Sequence, residues 1–270
     1  MLKQGLNAFL AGEVCPEHAD MLLLVCCLSS GLVDSTLYNA YNTFVSMQTG
    51  LSFTLFQELG IISLTEVGNT IFVGLGASNQ NLRPYGWARS LTSIGCFIVG
   101  CWCFAWLNRC LGARRRGTLM LSFFVQSLLV IVTAALVNGG AISGLSQTTS
   151  VTSRGEVPPW NQEVPIILLS LQSAGQIVAS RALGFNEIPT VVITSLLCDL
   201  MSDPKLFLQQ NEKRNRRVLA FALTLVGAIA GGWITKASGD IYAALWVAAG
   251  LKIGIVGFWG FWAAVPLSPA

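Results

Sequence analysis

Charged side chains are scarce in this sequence: they make up 11% of its 270 residues, whereas hydrophobic residues make up 53%. A soluble domain usually carries about 25% charged residues. The shortage is not local, because long apolar runs recur almost to the C-terminus. This composition excludes an ordinary soluble globular protein, since much of its apolar surface would face water. A lipid bilayer is a solvent in which such a surface is stable.

Histidine is almost missing too, since His18 is the only one and precedes the first apolar run. This argues against histidine-dependent catalysis. Most of the eight cysteines lie in or beside apolar runs, where cysteine acts as a small hydrophobe. No phosphate loop, nucleophile elbow or zinc-helix motif is present. We therefore predict no metal, no cofactor and no nucleic-acid partner, and we expect the lipid bilayer and a small-molecule solute as partners.

The apolar runs predict an all-α, polytopic transmembrane helical bundle. Residues 1–20 carry several charges and no early apolar core, so we expect a cytosolic N-terminal segment followed by one transmembrane domain over 21–265. A spanning helix needs about 20 mostly apolar residues. The runs that approach this length are 21–45, 90–107, 118–137, 164–183, 218–234 and 241–265. Two shorter apolar pieces, 70–75 and 190–200, give two broken or re-entrant units, or eight crossings if both pieces span.

Two basic loops decide between six and eight crossings. One contains Arg109 and residues 114–116, and the other contains Lys205 and residues 213–217. Basic loops stay on the cytosolic side of a membrane. An even number of crossings must separate them, so the piece at 190–200 should not cross. The sequence thus predicts six crossings with both termini cytosolic, in the plasma membrane or an internal membrane.

A faint internal repeat supports two similar halves. Gly31 precedes Thr49 by 18 residues, and Gly175 precedes Thr194 by 19. Each half has a polar helix, a short threonine-bearing segment and two plainer helices. Three crossings per half would make a 3+3 inverted repeat, an arrangement typical of transporters.

The first candidate site surrounds Asp34, because an ionisable group inside a membrane span is costly and suggests function. Tyr38, Asn42 and Thr49 extend the same polar stretch. We interpret it as a path for a solute or a proton. A cluster of hydrogen bonds that only joins helices is the alternative.

The second candidate site surrounds a predicted helix break at residues 184–189. Its members are polar residues on both sides of the break: Gln172, Gln176, Asn186, Glu187, Thr190, Thr194 and Asp199. Gln172, Gln176 and Ser180 share one helix face. Arg181 and Glu187 could pair across the break. A helix restarting at residues 189–190 would offer free N–H groups to an anion or a carbonyl; a structural ion pair with helix caps is the alternative.

Lys252 completes the candidates, near the middle of the last apolar run. A lysine so deep needs a partner, and we expect Asp34, Glu187 or Asp199. The spacings from Gly227 to Gly231 and from Gly250 to Gly254 should allow close helix packing.

Five motifs stand out: Gly31-Leu-Val-Asp34, Thr43-Phe-Val-Ser-Met-Gln-Thr-Gly50, Gln172-Ser-Ala-Gly-Gln176, Asn186-Glu-Ile-Pro-Thr190 and Thr194-Ser-Leu-Leu-Cys-Asp199. Together they resemble the YoaK family (domain of unknown function 1275), and the residues within them are similar to those of its fungal members. The resemblance covers about residues 20–262. It implies a multi-pass membrane protein for which transport is the usual suggestion, without a substrate. Fungal members can sit beside biosynthetic genes, so the resemblance also implies pathway-linked export.

One departure from the family pattern concerns residues 51–68. Removing them restores a continuous Met-Gln-Thr-Gly-Asn-Thr-Ile-Phe-Val-Gly-Leu-Gly. We interpret the stretch as an insertion or a retained intron. The alternative is a genuine extra helical segment carrying Glu58 and Glu66. A spliced transcript that still encodes the stretch would exclude the intron.

Three functions remain open on the sequence. The first is a secondary transporter or facilitator of a small solute. This is the function that we expect, and with it we expect that the chain is not an enzyme. The second is an intramembrane enzyme, a cyclase or isomerase, with Asp34 and Glu187 as acid and base. The third is a non-catalytic accessory protein of the membrane.

Overall fold

The computed structural model describes residues 9–47, 51–55, 62–66, 68–80, 85–144 and 159–262. Eight helices organise these residues: α1 Ala19–Tyr41, α2 Asn69–Ala77, α3 Gly86–Leu111, α4 Arg116–Asn138, α5 Glu163–Leu183, α6 Ile193–Met201, α7 Glu212–Ser238 and α8 Tyr242–Phe261. A short 3₁₀ turn, Trp160–Gln162, leads into α5. Within the described ranges, six helices are long and apolar enough to cross a membrane. The chain is an integral, multi-pass membrane protein, as predicted.

The two short helices do not add crossings. α2 and α6 have nine residues each, about 14 Å at 1.5 Å per residue, against a hydrocarbon core of about 30 Å. Six crossings are therefore confirmed over eight. Each short helix follows the end of a long one, α1 and α5, which gives the two broken units that were expected.

The stretch at 51–68 contains strands and no helix in its described part. β1 Leu51–Leu55 pairs antiparallel with β2 Ile62–Glu66, with Leu51 opposite Glu66. The alternative, an extra helical segment, does not agree with these strands. The alternation of apolar and polar residues in Leu-Ser-Phe-Thr-Leu fits a strand period of two. That this stretch is an insertion or retained intron stays a prediction.

The first and last described segments of the chain meet both basic loops at one end of the bundle, here called the basic end. Val14 N–H donates to the Arg114 carbonyl at 2.9 Å, and the Trp262 indole donates to the Cys15 carbonyl at 2.9 Å. Arg216, at the start of α7, reaches Asp20 at the start of α1. This arrangement agrees with six crossings, and the cytosolic orientation of the basic end stays a prediction from the positive-inside rule.

The other loops meet at the opposite end. The Tyr41 hydroxyl donates to the Ser143 carbonyl at 3.1 Å, and Ile241 N–H donates to the Gly144 carbonyl at 3.2 Å. The rings of Tyr85 and Trp160 lie 5.5 Å apart at the same end.

Helix packing relates the two halves of the chain. α1 packs along α7, and α5 packs along α3. Each of the two inner helices, α1 and α5, therefore lies on a helix of the other half. α4 and α8 pack on each other, while α2 lies on α3 and α6 lies on α7. Exchanging α1–α4 with α5–α8 carries the α1–α7 pair onto α5–α3 and the α2–α3 pair onto α6–α7, and carries the α4–α8 pair onto itself. With three crossings in each half, this packing agrees with the predicted 3+3 inverted repeat.

Glycines allow the closest of these approaches. A Cβ on Gly227 of α7 would lie 2.1 Å from the Leu28 carbonyl oxygen of α1. In the other half, a Cβ on Gly100 of α3 would lie 2.7 Å from the Ala174 Cβ of α5. The packing role predicted for Gly227 and Gly231 is confirmed. For Gly250 and Gly254 it is wrong, because no described atom lies within 4 Å of either Cβ position.

Candidate functional site

The lysine cluster lies at mid-depth, where α1, α4, α5 and α8 meet. Lys252 is fully buried, and its Nζ donates to Gln126 Oε1 at 2.9 Å and to Gln176 Oε1 at 2.5 Å. Gln176 Nε2 in turn donates to Ser30 Oγ at 2.7 Å and to the Cys26 carbonyl at 3.2 Å. One cation thereby joins side chains from four transmembrane helices.

The partners expected for Lys252 are wrong. No ion pair in the described part of the chain includes Lys252, and Asp34, Glu187 and Asp199 are not its neighbours. Gln126 was missed, although it is the only amide inside the most apolar run and a polar residue in lipid needs an internal partner.

Gln172 lies one turn before Gln176 on the same buried face of α5, as the spacing predicted. Its Nε2 donates to Ser173 Oγ at 3.0 Å, whereas its Oε1 is buried and has no hydrogen-bond partner. Ser180, next along this face, donates to the carbonyls of Phe185 and Ile188. Ser180 therefore fixes the turn that follows α5, while Gln172 adds unused hydrogen-bonding capacity beside the lysine cluster.

Asp34 stabilises the first helix break. Its Oδ1 accepts the backbone N–H groups of Val45 and Ser46, both at 3.1 Å, and its Oδ2 accepts the Ser46 hydroxyl. Asn42 ends α1 in the left-handed conformation, with φ 51°. The Tyr38 ring stacks on Phe44 at 4.6 Å, and Thr49 lies outside the described residues. Asp34 therefore orders an extended segment.

Asn69, the first residue of α2, ties that segment to the next helix. Its amide accepts from Phe44 N–H at 3.3 Å and donates to the Phe44 carbonyl at 2.7 Å and to Ser93 Oγ at 3.1 Å. Ser93 also shares a 2.9 Å hydrogen bond with Ser170 of α5. Neither Asn69 nor Ser93 was predicted as a site residue, and only the fold brings them together.

The second break differs in detail from the prediction. α5 ends at Gly184, with φ 90°, but α6 begins at Ile193 instead of at residues 189–190. Thr190 takes a left-handed conformation, with φ 57°, which interrupts the helix, and its buried Oγ1 lacks a partner. Thr194 and Asp199 lie on the exposed face of α6. The predicted anion site at the start of this helix is therefore wrong in position.

Arg216 links the two inner helices at the basic end. It bonds Asp20 near the start of α1 at 2.8 Å and Glu187 just after α5 at 3.0 Å. Its guanidinium lies 5.1 Å from the Phe185 ring centroid. The expected pair between Arg181 and Glu187 is wrong, because Arg181 donates to the exposed Asn186.

Arg89 occupies the matching place at the opposite end. It lies 3.7 Å from Glu163, the first residue of α5, and donates to the Tyr41 carbonyl, at the end of α1, at 3.3 Å. Its guanidinium is 5.9 Å from the Tyr41 ring centroid, and Gln162 accepts from it at 2.5 Å. Arg89 lies near the start of α3, and Arg216 lies near the start of α7. Each one ties the start of one inner helix to the end of the other.

The loop before α7 is ordered by Asp203. The side chain of Asn211 and the backbone N–H of Lys205 donate to its carboxylate at 3.0 and 2.9 Å, and Arg217 lies at 3.2 Å. These hydrogen bonds, with the charge of Arg217, hold the pKa of Asp203 below its ordinary value.

A family model described as "Protein of unknown function (DUF1275)" matches residues 22–258. The chain belongs to this family. The match includes all but the ends of the bundle, with both breaks, both linking arginines and the lysine cluster, so the family resemblance drawn from the motifs is confirmed. No curated protein and no solved structure matches the chain.

Proposed function

We propose that the chain is a secondary transporter or facilitator that moves a small solute past the lysine cluster by alternating access. One observation carries this: equivalent arginine links close the two ends of the α1–α5 pair, with a buried polar cluster between them. Inverted repeats with broken helices around a midplane site are the architecture of many transporters.

The links specify what must open. At the basic end, α1 and the end of α5 separate only if Arg216 releases Asp20 or Glu187. At the opposite end, they separate only if Arg89 releases Tyr41 or Glu163. Because α1 packs on α7 and α5 packs on α3, these two pairs are natural rigid bodies. Rocking one pair against the other would open one end while the other stays closed.

An intramembrane enzyme using Asp34 and Glu187 gains no support from the geometry. Glu187 and Asp20 share Arg216 at the basic end. Asp34 lies fourteen residues further along α1 than Asp20, about 21 Å at 1.5 Å per residue. An acid and a base that far apart do not act on one substrate centre. An accessory role, and the export of a fungal pathway product, remain outcomes that experiment separates.

Side-specific labelling tests the two gates. Six cysteines are replaced by serine, which leaves Cys26 and Cys27, both buried, as reporters of the midplane. A membrane-impermeant maleimide is then applied to each side of sealed vesicles. We expect Arg216→Ala to raise labelling from the basic end and Arg89→Ala to raise it from the opposite end. A link worth about 1.4 kcal/mol changes the open population about tenfold.

Arg217→Ala is the matched control, because Arg217 pairs with Asp203 and links no inner helix. It should leave labelling from both sides unchanged. Labelling of the Arg89 and Arg216 variants from the same side would refute alternating access. In parallel, metabolites are compared inside and outside a strain that lacks the gene. A solute accumulating on one side identifies transport and its direction, whereas unchanged metabolites and labelling favour an accessory protein.

A further inference from the structure

From the chemistry of the lysine cluster, and resting on the transport function proposed above, we infer that the transported solute is a small anion that binds Lys252. The class meant is a carboxylate or phosphate, recognised through its negatively charged oxygen atoms. The observations behind it are the charge, the burial and the hydrogen-bond inventory of the cluster.

Lys252 has no carboxylate partner among the described residues. It is fully buried, and both acceptors of its Nζ are neutral amides. Its ammonium form would therefore be a buried charge without a counter-charge. Burying an unpaired charge costs several kcal/mol, which paired and hydrogen-bonded charges largely recover. Asp34 does not serve as the partner, because its oxygens accept hydrogen bonds from Val45 and Ser46 and form no ion pair with Lys252. A bound anion would supply the missing charge.

The amides leave donors facing the cluster. An ammonium has three N–H donors, and two are used on Gln126 and Gln176. Gln176 Nε2 already donates to Ser30 Oγ and to the Cys26 carbonyl. Gln126 Nε2 makes only a long hydrogen bond, 3.3 Å, to Ser122. Gln126 Nε2 and the third ammonium hydrogen are therefore the donors most readily available to a ligand. A ligand that accepts hydrogen bonds from both, such as an anion, fits them.

The cluster is closely packed, and Gly175 gives the Gln126 amide its place in it. A Cβ on Gly175 would lie 3.0 Å from Gln126 Nε2 and 2.7 Å from the Phe104 ring. A larger residue at this position would therefore displace the amide or the ring. Phe123, 5.6 Å from Lys252 Nζ, offers only a ring face to the charge. A cationic solute would meet repulsion here, and a neutral one would leave the charge unpaired.

Binding is measured on the purified full-length chain by thermal unfolding. The probes are sodium acetate, sodium succinate and sodium phosphate at equal ionic strength, with sodium chloride as reference and choline chloride as a cation probe. A ligand that binds only the folded state raises the melting temperature in a saturable way. We expect saturable stabilisation by at least one of the three anions, and none by choline.

Variants test whether Lys252 is the site. Lys252→Met should weaken anion binding at least tenfold. Lys236→Met, which changes an exposed lysine at the end of α7, should leave anion binding unchanged. If Lys252→Met fails to fold, Gln126→Glu decides. It keeps the side-chain shape and gives Lys252 an internal carboxylate, so it should abolish anion stabilisation and raise the basal melting temperature. Unchanged anion binding in Gln126→Glu would overturn the inference.

Failure of this inference is distinguishable from failure of the transport function. Suppose that no anion stabilises the protein saturably, but labelling is side-specific and a neutral or cationic solute moves. That result would overturn the anion inference and leave the transport function supported. Saturable binding that depends on Lys252, with no change of labelling in the arginine variants, supports the anion site and overturns alternating access.

Discussion

Gly227→Ala gives the sharpest prediction about the packing on which the proposed rigid bodies depend. A Cβ at this position would lie 2.1 Å from the Leu28 carbonyl oxygen and 3.1 Å from the Leu32 nitrogen, both backbone atoms of α1. Ordinary contact begins near 3.4 Å, so the two helices must separate locally by the difference, 1.3 Å. Neither side can yield by changing a rotamer, because the obstructing atoms belong to the backbone.

The magnitude follows from two opposing effects. Overpacking of this kind costs about 1–3 kcal/mol, and a rigid backbone favours the upper part of that range. Alanine also gains about 1 kcal/mol over glycine in helix propensity. The net loss is about 2 kcal/mol. At about 2–4 °C for each kcal/mol in a chain of this size, the melting temperature should fall by about 4–8 °C.

Gly232→Ala is the matched control on the same helix, since no described atom lies within 4 Å of its Cβ position. Only the propensity gain applies there, so the melting temperature should stay or rise by about 2–4 °C. The assay heats detergent-solubilised protein and measures the fraction that remains monodisperse. Equal changes in the two variants would refute the close α1–α7 packing.

Two further predictions concern the break and the basic end. Asp34→Ala leaves the N–H groups of Val45 and Ser46 without their acceptor, a loss of about 1–3 kcal/mol each, whereas Asp34→Asn keeps one acceptor oxygen. Hydrogen exchange at these two amides should therefore accelerate strongly in the alanine variant and weakly in the asparagine variant, and equal rates would contradict the capping role. Because the pKa of Asp203 is lowered in the folded protein, its contribution to loop stability is present above the ordinary aspartate pKa and is lost as pH falls through the lowered value. Exchange rates corrected for intrinsic pH dependence should rise in this loop on acidification, and Asp203→Asn should remove that rise.

The sequence predicted the helices well because apolar length and breaking residues are local properties. The run 164–183 became α5 Glu163–Leu183, which ends where Gly184 takes a left-handed conformation. The start of α6 was missed by three residues, because a threonine in the left-handed region is not indicated by propensity. Thr190 is buried in this conformation, and a single sequence does not report burial at one position.

The site was predicted only in part, because pairing was inferred from closeness along the chain. Glu187 was assigned to Arg181, six residues away, but it pairs with Arg216, 29 residues away on another helix. Arg216 had been counted only as an orientation signal. Arg89 was also overlooked, and its equivalence with Arg216 is visible only once each arginine is seen between α1 and α5.

The structure also reverses the order of importance of Asp34 and Lys252. The sequence placed Asp34 first, since it begins the longest polar stretch. Its oxygens, however, accept three hydrogen bonds from Val45 and Ser46, so its charge is already used to hold the chain's own backbone. Lys252 is bound only by side-chain amides, whose hydrogen bonds can be exchanged for those of a ligand. A transporter needs a site that is satisfied when closed and can be satisfied differently when loaded. Of these two residues, Lys252 meets that requirement for the proposed transport, whereas Asp34 holds the segment that follows α1.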